Sequence, residues 1–235
     1  MNQTVLDPRL EKLRGGLIVS CQAPPGSPLA DPQIIAALAL TAEQNGAVGV
    51  RINTPAHIAA TKQRVNVPII GIEKVESTES DVYITPTFAV ACGVAESGAD
   101  IVALDATRRP RPHGENLAEL IRRVQAELHR AVMADIATFD EGLYAADCGA
   151  TLVATTLCSY TMETRGAPLP AFDLIERLAA RLSVPIICEG GVATPADVQR
   201  AFDCGVFAVV VGTAITGVGQ NVRRFVAAVS NEPRG

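Results

Sequence analysis

Two stretches of this chain end in side chains that can move protons. Residues 68–74, PIIGIEK, form an apolar run that delivers Lys74, and residues 185–195, PIICEGGVATP, deliver Glu189 followed by two glycines. A lysine at the end of a buried strand loses hydration, which favours its neutral amine. Such an amine serves as a base or as a Schiff-base nucleophile. The plainer alternative is an ion pair with Glu189, Asp105 or Asp135. Glu189 is either a proton-transfer group or a solvated acid at a strand end. Gly190 and Gly191 let a bound group approach the backbone and offer bare N–H donors. Thr194 and Pro195 read as the N-cap and first residue of a helix, whose positive dipole end adds to the same place.

Other polar residues occupy equivalent positions. Gln22 closes the run 15–22, Arg51 lies near the end of 47–52, Asp105 closes 100–105 and Asp135 lies near the end of 131–136. Two further apolar runs, 151–157 and 207–213, complete the strand set. Helical patterns separate these runs, at about 31–45, 54–65, 87–97, 115–130, 139–147, 171–182, 197–204 and 221–229. Gly46, Gly98, Gly149 and Gly205 sit just past four of the helix ends. Eight strands alternating with helices, in units of roughly 20–35 residues, predict a single (β/α)8 TIM barrel domain over residues 1–235. An open doubly wound sheet is the architectural alternative. Residues 1–14 read as a helix over the barrel bottom.

In a barrel, all strand C-terminal ends meet at one face. Gln22, Arg51, Lys74, Asp105, Asp135 and Glu189 would therefore share one mouth. Barrels commonly hold phosphate with the loops after strands seven and eight. Here those loops are Gly190-Gly191 and Gly212-Thr213, which read either as backbone donors to a phosphate or as tight turns.

Composition excludes other classes. The net charge is −5 and no basic run stands out, which argues against nucleic acid and anionic membranes as partners. Hydrophobic residues make up 48% of the chain, mostly small aliphatics suited to strands buried on both faces. No apolar run reaches the length of a membrane span. Residues 1–14 lack the apolar stretch of a signal peptide, so a cytoplasmic protein is expected. Cys21, Cys92, Cys148, Cys158, Cys188 and Cys204 form no C-x-x-C pair and read as small buried hydrophobes. His57, His113 and His129 show no ligand spacing, so no metal site is expected. No dinucleotide or P-loop fingerprint follows a strand.

The motifs GGLIVSCQ (15–22), AVGVRI (47–52), VPIIGIEK (67–74), YITPT (83–87), GADIVALDATRRPRP (98–112), TTLCSYT (155–161), CEGGVATP (188–195) and VVVGTAIT (209–216) occur in this order. In this the chain resembles the N-acetylmannosamine-6-phosphate 2-epimerases over nearly its whole length. The resemblance implies a barrel enzyme that interconverts N-acetylmannosamine 6-phosphate and N-acetylglucosamine 6-phosphate without metal or organic cofactor. It puts Lys74 and Glu189 on catalytic positions, and Gln22, Arg51 and Asp135 on substrate-contacting ones. By this reading neutral Lys74 removes the C2 proton, Glu189 moves protons on the sugar oxygens or positions the substrate, and Arg51 stabilises the enolate. The chain departs from the family pattern at Gly191 and Gly217, where relatives often carry basic residues, and at Val75-Glu76, where they often have Arg-Asp. That leaves phosphate mainly to backbone donors. A Schiff-base aldolase or lyase using Lys74, and a barrel that binds a sugar phosphate without turnover, are the competing functions. Phe225, Val226 and Val229 would suit either pairing with a second copy or covering this chain's own barrel.

Overall fold

The apolar runs form eight short strands, with residues 7–230 described by a computed structural model. They are β1 (Leu17–Cys21), β2 (Gly49–Asn53), β3 (Ile69–Ile72), β4 (Ile101–Asp105), β5 (Ala131–Asp135), β6 (Leu152–Ala154), β7 (Ile186–Glu189) and β8 (Ala208–Val211). All pair in parallel in sequence order, and β8 returns to β1 to close the barrel. The open doubly wound sheet is thereby excluded. The helices are α1 (Pro8–Glu11), α2 (Pro32–Gln44), α3 (Pro55–Lys62), α4 (Phe88–Glu96), α5 (Leu117–Glu127), α6 (Phe139–Asp147), α7 (Phe172–Arg181), α8 (Pro195–Asp203), α9 (Thr213–Thr216) and α10 (Val218–Ser230). Asp31, Thr54, Thr87, Asn116, Thr138 and Thr194 cap helix starts with side-chain oxygens that accept backbone N–H groups. Among the described residues no helix is long and apolar enough to cross a membrane.

Strand periodicity sorts the core into two layers. Ile18, Ile70, Ile72, Ile101, Ala103, Met133, Leu152, Ala154, Ile187, Ala208 and Val210 fill the barrel interior. Their strand neighbours, among them Val19, Val50, Ile52, Val102, Leu104, Val132, Val153, Cys188 and Val209, pack beneath the helices. Carrying the inward parity one step past the apolar layers reaches Ser20, Lys74, Asp105, Asp135, Thr156, Glu189 and Gly212. On β2, where Val50 and Ile52 face outward, the inward positions are Gly49, Arg51 and Asn53.

The opposite end is plugged. Leu10 and Leu13 join the interior cluster, as expected of a segment covering the barrel bottom. Residues 1–6 of that expectation lie outside the described residues. Gly49 makes room for the plug: a Cβ there would stand 2.6 Å from Leu13 Cδ2. The Arg14 guanidinium stacks over the Phe207 ring, 4.7 Å from its centroid.

Three elements differ from expectation. β6 stops at Ala154, because Thr155 and Thr156 turn their side chains to β7 and to the mouth. The short α9 was not foreseen, since Gly212 and Gly217 bracket it as if it were loop. α10 begins at Val218, immediately after that break, instead of near residue 221.

Leu13→Ala removes a fully buried plug residue. It should cost about 3 kcal/mol, seen as a lower urea midpoint with an unchanged slope.

Candidate active site

An arginine buried without partners would be prohibitively costly, so Arg51 dictates what surrounds it. Only 1% of its side chain is exposed. Its Nη1 donates to Asp135 Oδ1 (3.0 Å) and to Glu189 Oε2 (2.9 Å), and its Nη2 donates to Asp135 Oδ2 (2.6 Å). β2, β5 and β7 thus send one charged side chain each to a single knot at the top of the interior. Arg51 Nε is buried with no hydrogen-bond partner among the described residues. Its charge is engaged by two acids, which it orients at the top of the barrel interior.

Two threonines after β6 complete the knot. Thr155 Oγ1 donates to the Glu189 carbonyl (3.0 Å) and accepts from the Glu189 N–H (3.2 Å), clasping the strand end. Thr156 Oγ1 lies 2.6 Å from Asp135 Oδ1 and 3.2 Å from Glu189 Oε2. A hydroxyl has one proton and cannot donate to both acids. The shorter bond, to Asp135, takes it for most of the time, which leaves Glu189 the weaker contact. Burial pushes the Glu189 carboxyl up to about 7; Arg51 opposes this, Asp135 reinforces it, and the Thr156 bond and Lys74 pull it down.

Lys74 lies two residues past β3, where an antiparallel bridge to Ile84 holds it. Its N–H donates to Asn53 Oδ1 (3.0 Å). Its side chain is more than a third open to water, yet it stands recessed in the mouth with protein around it at longer range. Its amine is held below the ordinary lysine value, first by desolvation and then by the Arg51 charge, with Glu189 and Asp135 pulling the other way. The acids named as alternative ion-pair partners are paired with arginines instead: Asp135 and Glu189 with Arg51, Asp105 with Arg109.

Asp105 reaches the same face but belongs to a separate group. Its Oδ1 accepts from the Thr107 N–H and hydroxyl, and its Oδ2 accepts from Arg109 Nη2 at 2.6 Å. Gln22 donates to Ser20 Oγ (2.8 Å) and opens onto a cavity of ≈ 310 Å³ shared with Thr216, Gly219 and Arg223.

The glycine loops differ from each other. Gly190 has φ 109° and Gly191 φ 72°, and a Cβ at 191 would meet Leu169 Cβ at 2.4 Å. No side chain fits at 191, so this loop presents backbone. Within the described residues, the N–H groups of Gly190, Gly191, Val192, Gly212, Thr213 and Ala214 make no hydrogen bond. The expected contribution of α8 is reduced. Asp197 turns back over its N-terminus and accepts from Ala193 N–H (3.0 Å) and Thr194 N–H (2.8 Å), so that end is neutralised by the chain itself.

Asn53, Thr155 and Thr156 were not singled out from sequence. A signal existed for two of them. Asn53 follows Arg51, and Thr156 follows Ala154, by the two-residue step that keeps a side chain on the inner face.

The sequence matches the family described as "Putative N-acetylmannosamine-6-phosphate epimerase" over residues 35–231. A Synechococcus elongatus relative described as "Putative N-acetylmannosamine-6-phosphate 2-epimerase" is 52% identical over 227 residues, covering 96% of this chain and 98% of its own. One from Thermosynechococcus vestitus, described in the same words, is 54% identical over 218 residues, covering 93% and 95%. Among solved structures, the N-acetylmannosamine-6-phosphate 2-epimerase from Clostridium perfringens superposes with a TM-score of 0.91 at 36% identity, covering 97% of this chain and 99% of that one. A thiamine phosphate pyrophosphorylase from Pyrococcus furiosus, at 14% identity and TM-score 0.58, shares the fold.

A protonated Glu189 has a measurable signature. An acid whose folded value is about 7 against an ordinary 4.5 keeps its proton longer in the folded chain than in the unfolded one. Its contribution to stability is full below about 4.5 and is lost as pH rises through about 7. The difference in stability between the unaltered protein and Glu189→Gln, from urea titrations at stepped pH, should shift across that window and be level above it.

Proposed function

The chain belongs to the N-acetylmannosamine-6-phosphate epimerase family, and from that premise we propose how its mouth interconverts N-acetylmannosamine 6-phosphate and N-acetylglucosamine 6-phosphate at C2. The protein is an isomerase. The observation that carries the mechanism is that the Lys74 amine and the Glu189 carboxyl, the latter held by Arg51, leave their strands at one barrel mouth, where burial favours the uncharged form of each.

The C2 hydrogen of an N-acetyl hexosamine is acidic only when C1 is an aldehyde, so the ring opens first. Glu189, holding a proton and oriented by Arg51 and Thr156, gives and takes protons at the sugar oxygens during opening and closing. Neutral Lys74 then removes the C2 proton. The C–H electron pair moves into the C1–C2 bond, and the carbonyl pair moves onto the C1 oxygen. The Lys74 ammonium, exchanged with solvent, returns a proton to the opposite face of C2 once the open chain has turned, which gives the epimer and restores the neutral amine. Asp135 keeps Arg51 in place. Gln22 contributes a polar contact at the β1 side of the mouth. The 6-phosphate is held by the open N–H groups of Gly190, Gly191, Gly212 and Thr213, which together supply several donors without a cation. The family match favours this reading over a Schiff-base aldolase or a barrel that only binds a sugar phosphate.

Two copies of the chain pair through α10, in this reading, within the cytoplasm. Val218, Val222, Phe225 and Val229 recur at helical spacing, and each is at least half exposed. α10 packs mainly against α9 and leaves this stripe outward. A second copy offers the same stripe about a twofold axis, which is the self-complementary arrangement a symmetric dimer requires.

Incubation with N-acetylmannosamine 6-phosphate in D2O should yield N-acetylglucosamine 6-phosphate carrying deuterium at C2. Lys74→Ala should abolish both signals while leaving the thermal midpoint within a few degrees; an unlabelled, unchanged sugar with the unaltered protein removes the reading. Light scattering should give a dimer mass for the protein and a monomer mass for Phe225→Asp.

A further inference from the structure

The barrel wall is not continuous at the mouth between β3 and β4. These strands register only at Ile70↔Ile101 and Gly71↔Val102. Above that point residues 83–85 enter the wall as a wedge. Val75 N–H donates to the Tyr83 carbonyl (2.9 Å) and Thr85 N–H to the Glu73 carbonyl (2.8 Å) on one side. Asp105 N–H donates to the Ile84 carbonyl (2.9 Å) on the other. Thr85 is fully buried at φ 44°, a left-handed conformation that a β-branched residue adopts only when its surroundings impose it. Its Oγ1 accepts from Glu73 N–H (3.2 Å), which fixes the turn. The wedge is a built feature, and the bridge that holds Lys74 is part of it.

Tyr83 stands at the tip of this wedge. Its ring packs against the interior cluster. Its hydroxyl makes no hydrogen bond among the described residues, although a half-buried phenol ordinarily finds a partner. The charges that act on it are Asp135 from β5, Asp105 and Arg109 from the β4 exit, and Arg51 from β2. The ring against the interior layer and the Val75 bond to its carbonyl set Tyr83 at the mouth, beside the segment that carries Lys74. Burial, helped by the two acids, pushes the phenol up to about 12, so it keeps its proton wherever the protein works and can donate but not act as a base.

The reaction needs such a donor. Lys74 generates negative charge on the C1 oxygen, and the nearest guanidinium is already bonded to Asp135 and Glu189. We propose that the Tyr83 hydroxyl touches the substrate and donates a hydrogen bond to the C1 oxygen of the open-chain sugar as that oxygen takes up charge. This rests on the epimerase reading and adds a catalytic residue to it. No bond is made or broken at Tyr83; the phenol O–H is retained throughout.

Tyr83→Phe separates the hydroxyl from everything else the residue does, because the ring and the backbone bonds that brace Lys74 are kept. With N-acetylmannosamine 6-phosphate, kcat and the rate of C2 deuterium exchange should fall together by about 10²-fold. KM should stay within about twofold and the thermal midpoint should not drop, since no protein partner is lost. Deuterium exchange at the unaltered rate, or a loss confined to KM, overturns the proposal. If the unaltered protein itself exchanges no deuterium, the epimerase reading fails first, so the two failures are told apart by one control.

Discussion

A guanidinium sealed inside a barrel sets the terms for the rest of this molecule. Arg51 is buried almost completely, and its Nη atoms hold Asp135 and Glu189 from two other strands. Removing one partner of such a buried group costs about 3–5 kcal/mol, because a charge is left uncompensated. That cost ties the ends of β2, β5 and β7 to one another and fixes where the carboxylates stand. Glu189 is left with an incomplete share of the positive charge, since Asp135 takes two of the three Arg51 bonds. Burial then outweighs what remains of the attraction, and the acid keeps its proton to about 7. The Arg51 bond therefore places Glu189, and burial sets its protonation state against that bond.

The architecture was legible because its signals are local. Apolar runs ending in polar residues, helix stops at Gly46, Gly98, Gly149 and Gly205, and proline-led helices after Asp31, Thr54 and Thr194 all recur with the βα period. The convergence of Arg51, Lys74, Asp135 and Glu189 followed from strand direction alone once a barrel was inferred. Pairing was not legible. Nothing in the order of residues says that Arg51 takes Asp135 and Glu189 while Asp105 goes to Arg109, because those choices depend on strand tilt and on side-chain reach across the interior. The capping of α8 by Asp197 was readable in Thr194-x-x-Asp197 but pulls against the anion site that the same segment suggested.

The two sides of the mouth use opposite solutions. Around Arg51, charged side chains are packed against one another, and the Lys74 amine and the Glu189 carboxyl are displaced from their ordinary values. At the β7–β8 side, glycines replace side chains: Leu169 closes the space over Gly191, leaving peptide N–H groups as the available chemistry. Backbone donors lose no side-chain freedom on binding and do not compete with Arg51 for its acids. A cation placed near Glu189 would lower its proton affinity, so an uncharged anion cradle is compatible with the neighbouring knot in a way that a lysine or arginine is not.

The barrel's short ladders have a mechanical corollary. β4 and β5 register over their whole lengths, from Ile101↔Ala131 to Asp105↔Asp135, whereas β3 meets β4, and β6 meets β7, over two positions each. Those two seams lie on either side of the mouth, one beside Lys74 and the other beside Glu189. Each seam is closed by other means: the 83–85 wedge bonds to the exits of both β3 and β4, and Thr155 clasps Glu189, while the β4–β5 staves between them need no such patch. Lys74 is thus mounted on an inserted brace, whereas Asp135, which anchors Arg51, stands on the longest ladder of the barrel.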